Sequence, residues 1–354
     1  MSVFRWRRRD PKAATVAFWS WWPSVAAPLA SAMEADPNGP PKKLRRELEA
    51  HVEAIHPELT WELLDGTLAR HSLVLSAEGA PELRILTERW RRAGPGDDLT
   101  WEFAASRPPN PAAMHSPLHV GRRTLKPLDA RFGVETDAAR GRIHVKISHP
   151  DLPYLQDAER LWFTFLLLDW VLGEDDVERW IGEVRFSADT EDLDGPGLRR
   201  AVTELSRELG SGQWAHLEGL DAAGRHATVL ARIPFPRQTY PLFDAHCAIT
   251  IPLLRTPQPP EDEITALAIA PPGPDEAELE EVDSLTRVLT TLLGDSALLA
   301  AVETVPDART LHLYADSESV VSEQIKAWVQ SQSRRDIAVR WRLDPGWEKL
   351  REFV

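Results

Sequence analysis

Apolar positions along the chain alternate between the 3.6-residue period of helices and the two-residue period of strands. Ala13–Met33 and Lys42–Ile55 read as two helices. The second carries Leu44, Leu48, Val52 and Ile55 on one face, and Asp36-Pro37-Asn38-Gly39-Pro40-Pro41 forms the turn between them. Thr60–Leu64 and Ser72–Ser76 are short apolar runs around Asp65-Gly66, a hairpin signal. A helix from Pro81 aligns Leu83, Leu86, Trp90 and Ala93 and closes at Gly94-Pro95-Gly96, before a strand over Leu99–Ala105. Beyond the Pro-rich stretch Arg107–Pro117 the order returns: strands near Ala130–Glu135 and Arg142–Ser148, a helix from Asp157, and a strand near Glu183–Phe186. This repeat predicts two related ββαβ halves of one sheet. In the second helix, Leu161–Leu172 is apolar nearly all round apart from Thr164 and Asp169, which predicts burial on most faces.

Asp189–Gly197, rich in Asp and Gly, marks a domain boundary, followed by a linking helix to Leu209 and the break Gly210-Ser211-Gly212. The remainder reads as strand (Ala245–Leu254), helix (Glu276–Leu293), strands (Leu298–Val305 and Thr310–Tyr314), helix (Ser319–Ser331) and strand (Ile337–Leu343). Val282, Leu285, Leu289 and Leu292 share a helical face, and Ile337, Val339, Trp341 and Leu343 alternate with polar or small residues. The expected class is α+β: a repeated ββαβ sheet domain over residues 1–190, a linker helix and connecting segment over 191–240, and a ferredoxin-like βαββαβ domain over 241–354.

Composition narrows the function. With 354 residues and 43% hydrophobic residues the chain has material for two packed cores. Pro and Trp are frequent and Lys is scarce beside Arg, a bias associated with GC-rich bacterial genomes. The net charge of −14 disfavours direct nucleic-acid binding, which needs clustered cations. Residues 257–295 hold ten acids, from Glu261, Asp262 and Glu263 through Glu278, Glu280, Glu281 and Asp283, against the single Arg287. A solvated helix face explains them; the sharper reading is a docking face for a protein partner with a basic surface. The lone Cys247 can form no internal disulfide, in keeping with a reducing, cytoplasmic setting. Arg5, Arg7, Arg8 and Arg9 before the uncharged Ala13–Ala32 imitate a signal peptide, but Pro23, Pro28 and the aromatic cluster Trp19, Trp21 and Trp22 favour a packed first helix. No other stretch approaches the length of a membrane span.

Catalytic patterns are sparse. His144 and His149 point to opposite faces of a strand, His115 and His119 flank Ser116-Pro117, and there is no His-Glu-x-x-His run, so no metal or other cofactor is expected. Ser76 reads as a helix cap, and Cys247 as a small core residue. The one constellation with catalytic character is Asp169, Glu174 and Arg107, which as a hydrolase-like site would converge in a cleft; the competing expectation pairs Asp169 with an arginine such as Arg107. Asp344-Pro345-Gly346-Trp347 reads as a strand terminator, with a recognition loop as the other reading. A non-catalytic binding or regulatory module acting through a protein partner is the leading expectation.

Phe18-Trp19-Ser20-Trp21, Leu75-Ser76-Ala77-Glu78-Gly79, Trp101 through Arg107, Leu168-Asp169-Trp170-Val171-Leu172-Gly173-Glu174 and Asp344-Pro345-Gly346-Trp347 occur in an order that resembles the bacterial domain of unknown function 695 family. The resemblance spans most of the chain and implies a cytoplasmic protein without an assigned activity. Pro23, Pro28 and the proline content of Arg107–Pro127 depart from the family's pattern. The second domain also resembles, in charge and element order alone, the acidic ferredoxin-like regulator of ribonuclease E activity.

Overall fold

The computed structural model describes residues 10–35, 39–121, 123–189, 191–210, 212–221, 223–254 and 275–353. The initial arginines, Asp36-Pro37-Asn38 of the first turn, and Glu261, Asp262 and Glu263 lie outside them. The fold is mixed α+β and divides into two compact units, one comprising the described residues up to Asp137 with Arg142–Ser206, the other Ala138–Gly141 with the described residues from Arg207 onward.

The first unit begins with α1 (Pro11–Trp21), whose cap Asp10 accepts hydrogen bonds from the amides of Lys12 and Ala13. Pro23 lies in the single 3₁₀ turn that follows, and α2 (Ala26–Ala35) carries Pro28 in its first turn, where no helical amide bond is lost. The expected helix Ala13–Met33 is therefore two. Together with α3 (Lys42–Ile55), they bury Phe18, Trp22, Leu29, Leu48, Val52 and Ile55 against the first sheet. Trp19 packs on this cluster, stacked on Trp90 at 4.9 Å, so the segment that imitates a leader is part of the core.

That sheet has the order β1 (Thr60–Asp65), β2 (His71–Ser76), β3 (Trp101–Ala104), with β1–β2 antiparallel and β2–β3 parallel across α4 (Pro81–Arg92). The central β2 is buried along its whole length, with Leu73, Val74 and Leu75 as an apolar run in its middle. A hairpin of β4 (Leu118–Val120) and β5 (Arg123–Leu125) follows. The second sheet repeats the arrangement with β6 (Arg131–Asp137), β7 (Arg142–Ser148) and β8 (Ile181–Phe186), again antiparallel then parallel, connected through α5 (Asp157–Leu172) and α6 (Glu174–Trp180). The two are separate three-stranded sheets, not halves of one sheet. Beyond β3 the chain runs through Pro108, Pro109 and Pro111, which have no amide hydrogen to donate to a further ladder. On α5, Phe163, Leu167, Leu168 and Val171 are buried while Leu161, Trp162 and Phe165 are exposed, which corrects the expected burial on most faces.

The division between units falls inside α7 (Gly195–Leu209), later than the boundary read at Asp189–Gly197. Residues read as connecting chain form β9 (Gln213–Leu220) and β10 (His226–Ile233), an antiparallel hairpin closed by Asp221, whose carboxylate accepts from the amides of Ala223 and Arg225. These join β11 (Ala245–Pro252), β12 (Ala297–Val305), β13 (Ala308–Ala315) and β14 (Ala338–Leu343) in one six-stranded sheet of order β14-β11-β13-β12-β10-β9, every neighbouring pair antiparallel. Cys247, Ile249, Ile251, Leu311 and Leu313 pack with Val282 and Leu289 of α8 (Glu276–Leu293) and with Ile325 and Trp328 of α9 (Val321–Gln330). A separate cluster gathers Val229, Ala231, Leu298, Tyr314, Trp347 and Leu350, the last from α10 (Glu348–Arg351).

Candidate functional site

Arg107, just after β3, is the hub of a polar cluster in the first unit. Its Nε donates to Glu62 at 2.6 Å, Nη1 to Asp169 at 2.6 Å and Nη2 to Glu78 at 2.7 Å. Glu174 is fixed separately: it accepts from Ser76 Oγ at 2.8 Å, from the Gly79 amide at 3.1 Å and from the Arg107 amide at 3.0 Å, while its own amide donates to the Arg107 carbonyl. Local sequence dictates these placements. Asp169 and Glu174 flank Gly173, whose φ of +87° turns the chain from α5 into α6 and whose missing side chain leaves room for Pro109. Glu78 adopts φ +49°, a left-handed conformation costly for a glutamate, and its carboxylate is held by Arg107 and by the Thr60 hydroxyl.

Thus Arg107, Asp169 and Glu174 come together, with Glu62 and Glu78 added. Spacing could not identify Glu62 and Glu78; the φ-permissive Glu78-Gly79 pair was the only local signal. Burial pushes the Asp169 carboxyl up to about 6, outweighing the opposing Arg107 charge, with Glu174 and Glu78 reinforcing the rise. Asp169 therefore titrates near neutrality, as an acid–base group would, but its side chain is only 13% exposed and faces Arg107. A neighbouring cavity of about 880 Å³ is lined by Glu62 and by none of Arg107, Asp169 and Glu174. Alongside, Arg84 grips Asp175 through two hydrogen bonds of 3.1 Å, and Ser106 donates to the same carboxylate. The cluster is a set of mutually satisfied ions joining β1, the loop after β2, the chain after β3, and helices α5 and α6.

Three acids of α8, Glu278, Glu281 and Asp283, are likewise committed within the fold. Glu278, read as part of a docking face, is buried and pairs with buried Arg335; it also accepts from the Leu254 amide at 2.8 Å. Glu281 reaches Arg335 at 3.1 Å, and Asp283 pairs with Arg309. Of Glu278, Glu280 and Glu281, only Glu280 is exposed and without an ion pair among the described residues. The reason lies in the 57-residue separation of Glu278 and Arg335, which helical spacing cannot reveal.

Asp344 accepts from the Tyr314 hydroxyl at 2.6 Å and from the amides of Glu348 and Lys349, capping α10. Trp347 stacks on Tyr314 at 4.2 Å between ring centroids and donates to the Phe243 carbonyl. Asp344-Pro345-Gly346-Trp347 thus ends β14 and packs the final turn. Nearby, His246 and His312 share a buried 3.0 Å contact; burial, with the His312 charge next, brings His246 down to about 4. Burial alone raises the Cys247 thiol to about 12, keeping it protonated. Among the described residues no group of three or more His, Cys, Asp or Glu is arranged to hold a metal ion, and no helix is long and apolar enough to cross a membrane.

β14 has a different character. It pairs with β11 alone among the described residues, so that among them one side of its backbone has no partner strand. Its register with β11 sets Val339, Trp341 and Leu343 on the face shared with Cys247 and Ile249, toward the helices, and Arg340 and Arg342 on the other. Between this edge and α9 lies a groove of about 570 Å³ lined by Glu323, Lys326, Val329, Ile337, Val339 and Trp341, and a cavity of about 320 Å³ beside Trp341 and Leu343 extends the concave surface. Trp341 is 37% exposed and Leu343 70%. Among the described residues neither Arg340 nor Lys326 forms an ion pair. Comparison of the chain with family models, with curated proteins and with solved structures finds no match.

Proposed function

We propose that the protein is a non-catalytic binding module whose second unit takes up an extended, acidic peptide segment of a partner protein as an added strand on β14. The observation that carries this reading is the edge of β14, unpaired among the described residues, beside the groove along α9 whose floor includes Val329, Ile337, Val339 and Trp341. A peptide there gains main-chain hydrogen bonds from the edge, and alternate side chains enter the groove between Trp341 and Val329. Arg340, on the face away from the groove, favours acidic residues at the remaining positions, while Lys326 and Glu323 offer opposite charges within the groove. Arg340 and Arg342 also disfavour a second copy of β14, since antiparallel self-pairing would bring like charges together. The partner chemistry is the reverse of the basic surface expected from α8, because Glu278, Glu281 and Asp283 are neutralised at home.

The mutual saturation of Arg107, Asp169 and Glu174 supports the non-catalytic reading over the hydrolase-like one. The βαββαβ element order and the strand order β14-β11-β13-β12 support treating Ala245–Leu343 as a ferredoxin-like unit extended by β9 and β10. The ordered motifs and the single cysteine support the proposals of membership in the domain of unknown function 695 family and of a cytoplasmic setting.

The test is a fluorescence-anisotropy titration of the full chain with a labelled heptapeptide of alternating Glu and Val. Saturable binding is expected, weakened about tenfold or more by Trp341→Ala and by Arg340→Glu and unchanged by Glu280→Lys. A flat titration, or binding indifferent to both β14 substitutions, refutes the proposal.

A further inference from the structure

The first unit contains a second type of cavity, enclosed mainly by apolar side chains and edged by cations. It measures about 600 Å³, within the range of small-molecule sites, and its walls include Met114, Leu128 and Val171. Met114 belongs to the short helical turn Pro111–His115, Val171 to α5, and Leu128 to the turn before β6; Met114 and Val171 are buried and Leu128 forms an exposed rim. Two arginines complete the lining, Arg131 at the start of β6 and Arg199 in α7.

Both guanidiniums are tethered by main-chain carbonyls. Arg131 Nη1 donates to the carbonyls of Leu128 and Ala130, each at 2.8 Å. Arg199 donates through Nε and Nη2 to the Val171 carbonyl, at 2.9 and 2.7 Å. Carbonyls orient a guanidinium without neutralising it, and neither arginine forms an ion pair among the described residues. Of the five N–H donors of each, Arg131 keeps Nε and Nη2 free of these tethers, and Arg199 keeps Nη1. The one carboxylate in the lining, Asp194, accepts from the Gly197 amide at 2.8 Å and caps α7, so the helix end is already occupied and the guanidiniums are the available anion donors.

We infer that this cavity binds a small amphiphilic carboxylate, its apolar body against Met114, Val171 and Leu128 and its carboxylate received by Arg131 and Arg199. An apolar chamber alone would accept any hydrophobe. Two guanidiniums oriented by carbonyls at its margin, with no direct ion pair among the described residues, select the anion, because guanidinium and carboxylate match in planar, two-pronged geometry. The inference concerns the first unit and does not depend on peptide binding at β14.

The probe is octanoate, titrated calorimetrically into the full chain, with octan-1-ol as the uncharged analogue of equal length. Octanoate is expected to bind at one site at least about tenfold more tightly than the alcohol, the worth of a charge-assisted hydrogen bond. Arg199→Ala, at an exposed position that leaves the core intact, is expected to erase that preference while leaving alcohol binding unchanged; Arg131→Ala is expected to act in the same direction. Leu128→Trp, which fills the rim, is expected to weaken both ligands. Circular dichroism verifies that each variant is folded. Absence of octanoate binding, equal affinity for octan-1-ol, or an octanoate affinity unmoved by either Arg199→Ala or Leu128→Trp in folded protein would overturn the inference.

Discussion

Consider removal of Arg335 from the second unit. Its side chain is 2% exposed and that of Glu278 1%, so both charges depend on each other for solvation. Arg335 binds Glu278, Glu281 and the Pro252 carbonyl, while Glu278 also holds the Leu254 amide, fastening α8, the end of β11 and the approach to β14. Arg335→Met leaves the Glu278 carboxylate buried, still accepting from the Leu254 amide but without its guanidinium, and breaking such a pair on one side costs about 3–5 kcal/mol. Glu278→Leu should cost a similar amount by stranding the guanidinium, less whatever Glu281 retains. Combining Glu278→Leu with Arg335→Met removes both charges and replaces them with apolar side chains, which recovers most of the loss and gives a coupling of about 2 kcal/mol or more. Urea denaturation followed by tryptophan fluorescence measures this directly. The first unit, rich in Trp, provides a transition that should stay in place as that of the second unit shifts. Equal, additive losses in the cycle, or an Arg335→Met penalty no larger than that of the exposed Glu280→Lys, would refute a mutually dependent buried pair and return Glu278 to the role of a surface acid.

Two further outcomes follow from the buried ionisable groups. His246 is held near 4 in the folded chain against an ordinary value of 6.5, so between these values the unfolded chain binds more protons; its contribution, of the order of 3 kcal/mol, is complete above pH 6.5 and is lost as pH falls toward 4. Urea midpoints of the second unit should decline over that window and flatten in His246→Gln; an unchanged slope in the variant would assign the effect elsewhere. Asp169, raised to about 6, should titrate near that value in carboxyl-carbon magnetic resonance and move higher in Arg107→Met, which is itself expected to lose about 3–5 kcal/mol of stability; Arg107→Lys should restore little, as an ammonium cannot reach Glu62, Asp169 and Glu78 with a fixed fork. A value near the ordinary 3.8 would contradict the burial argument.

Elements with strong local period are legible in the amino-acid order itself. Lys42–Ile55, Arg142–Ser148 and Glu276–Leu293 have the bounds that their apolar spacing predicts, because one face of each must be buried whatever its neighbour. The hairpin β9–β10 escapes that reading although Ala227, Val229, Ala231 and Ile233 alternate as a strand requires; small alanines weaken the signal, and only the turn at Asp221–Gly224 could have strengthened it. At the Arg107 cluster, the burial of Asp169 calls for an arginine, whereas the two further glutamates are beyond the reach of local pattern because they arrive from β1 and from the turn after β2.

The amino-acid order by itself determined the strongly periodic helices and strands, such as Lys42–Ile55, Arg142–Ser148 and Glu276–Leu293, and that Asp169 calls for a cation. Tertiary structure alone decided that the first unit holds two main sheets, that α1 and α2 are separate helices, that Glu278, Glu281 and Asp283 of α8 face arginines of their own unit, that β14 lies at an edge among the described residues, and that Arg131 and Arg199 share a cavity. Local period is set by backbone geometry within a few residues. Sheet membership and charge pairing depend on contacts between positions as far apart as Arg107 and Asp169, 62 residues along the chain, which packing of the whole unit selects and no local pattern encodes.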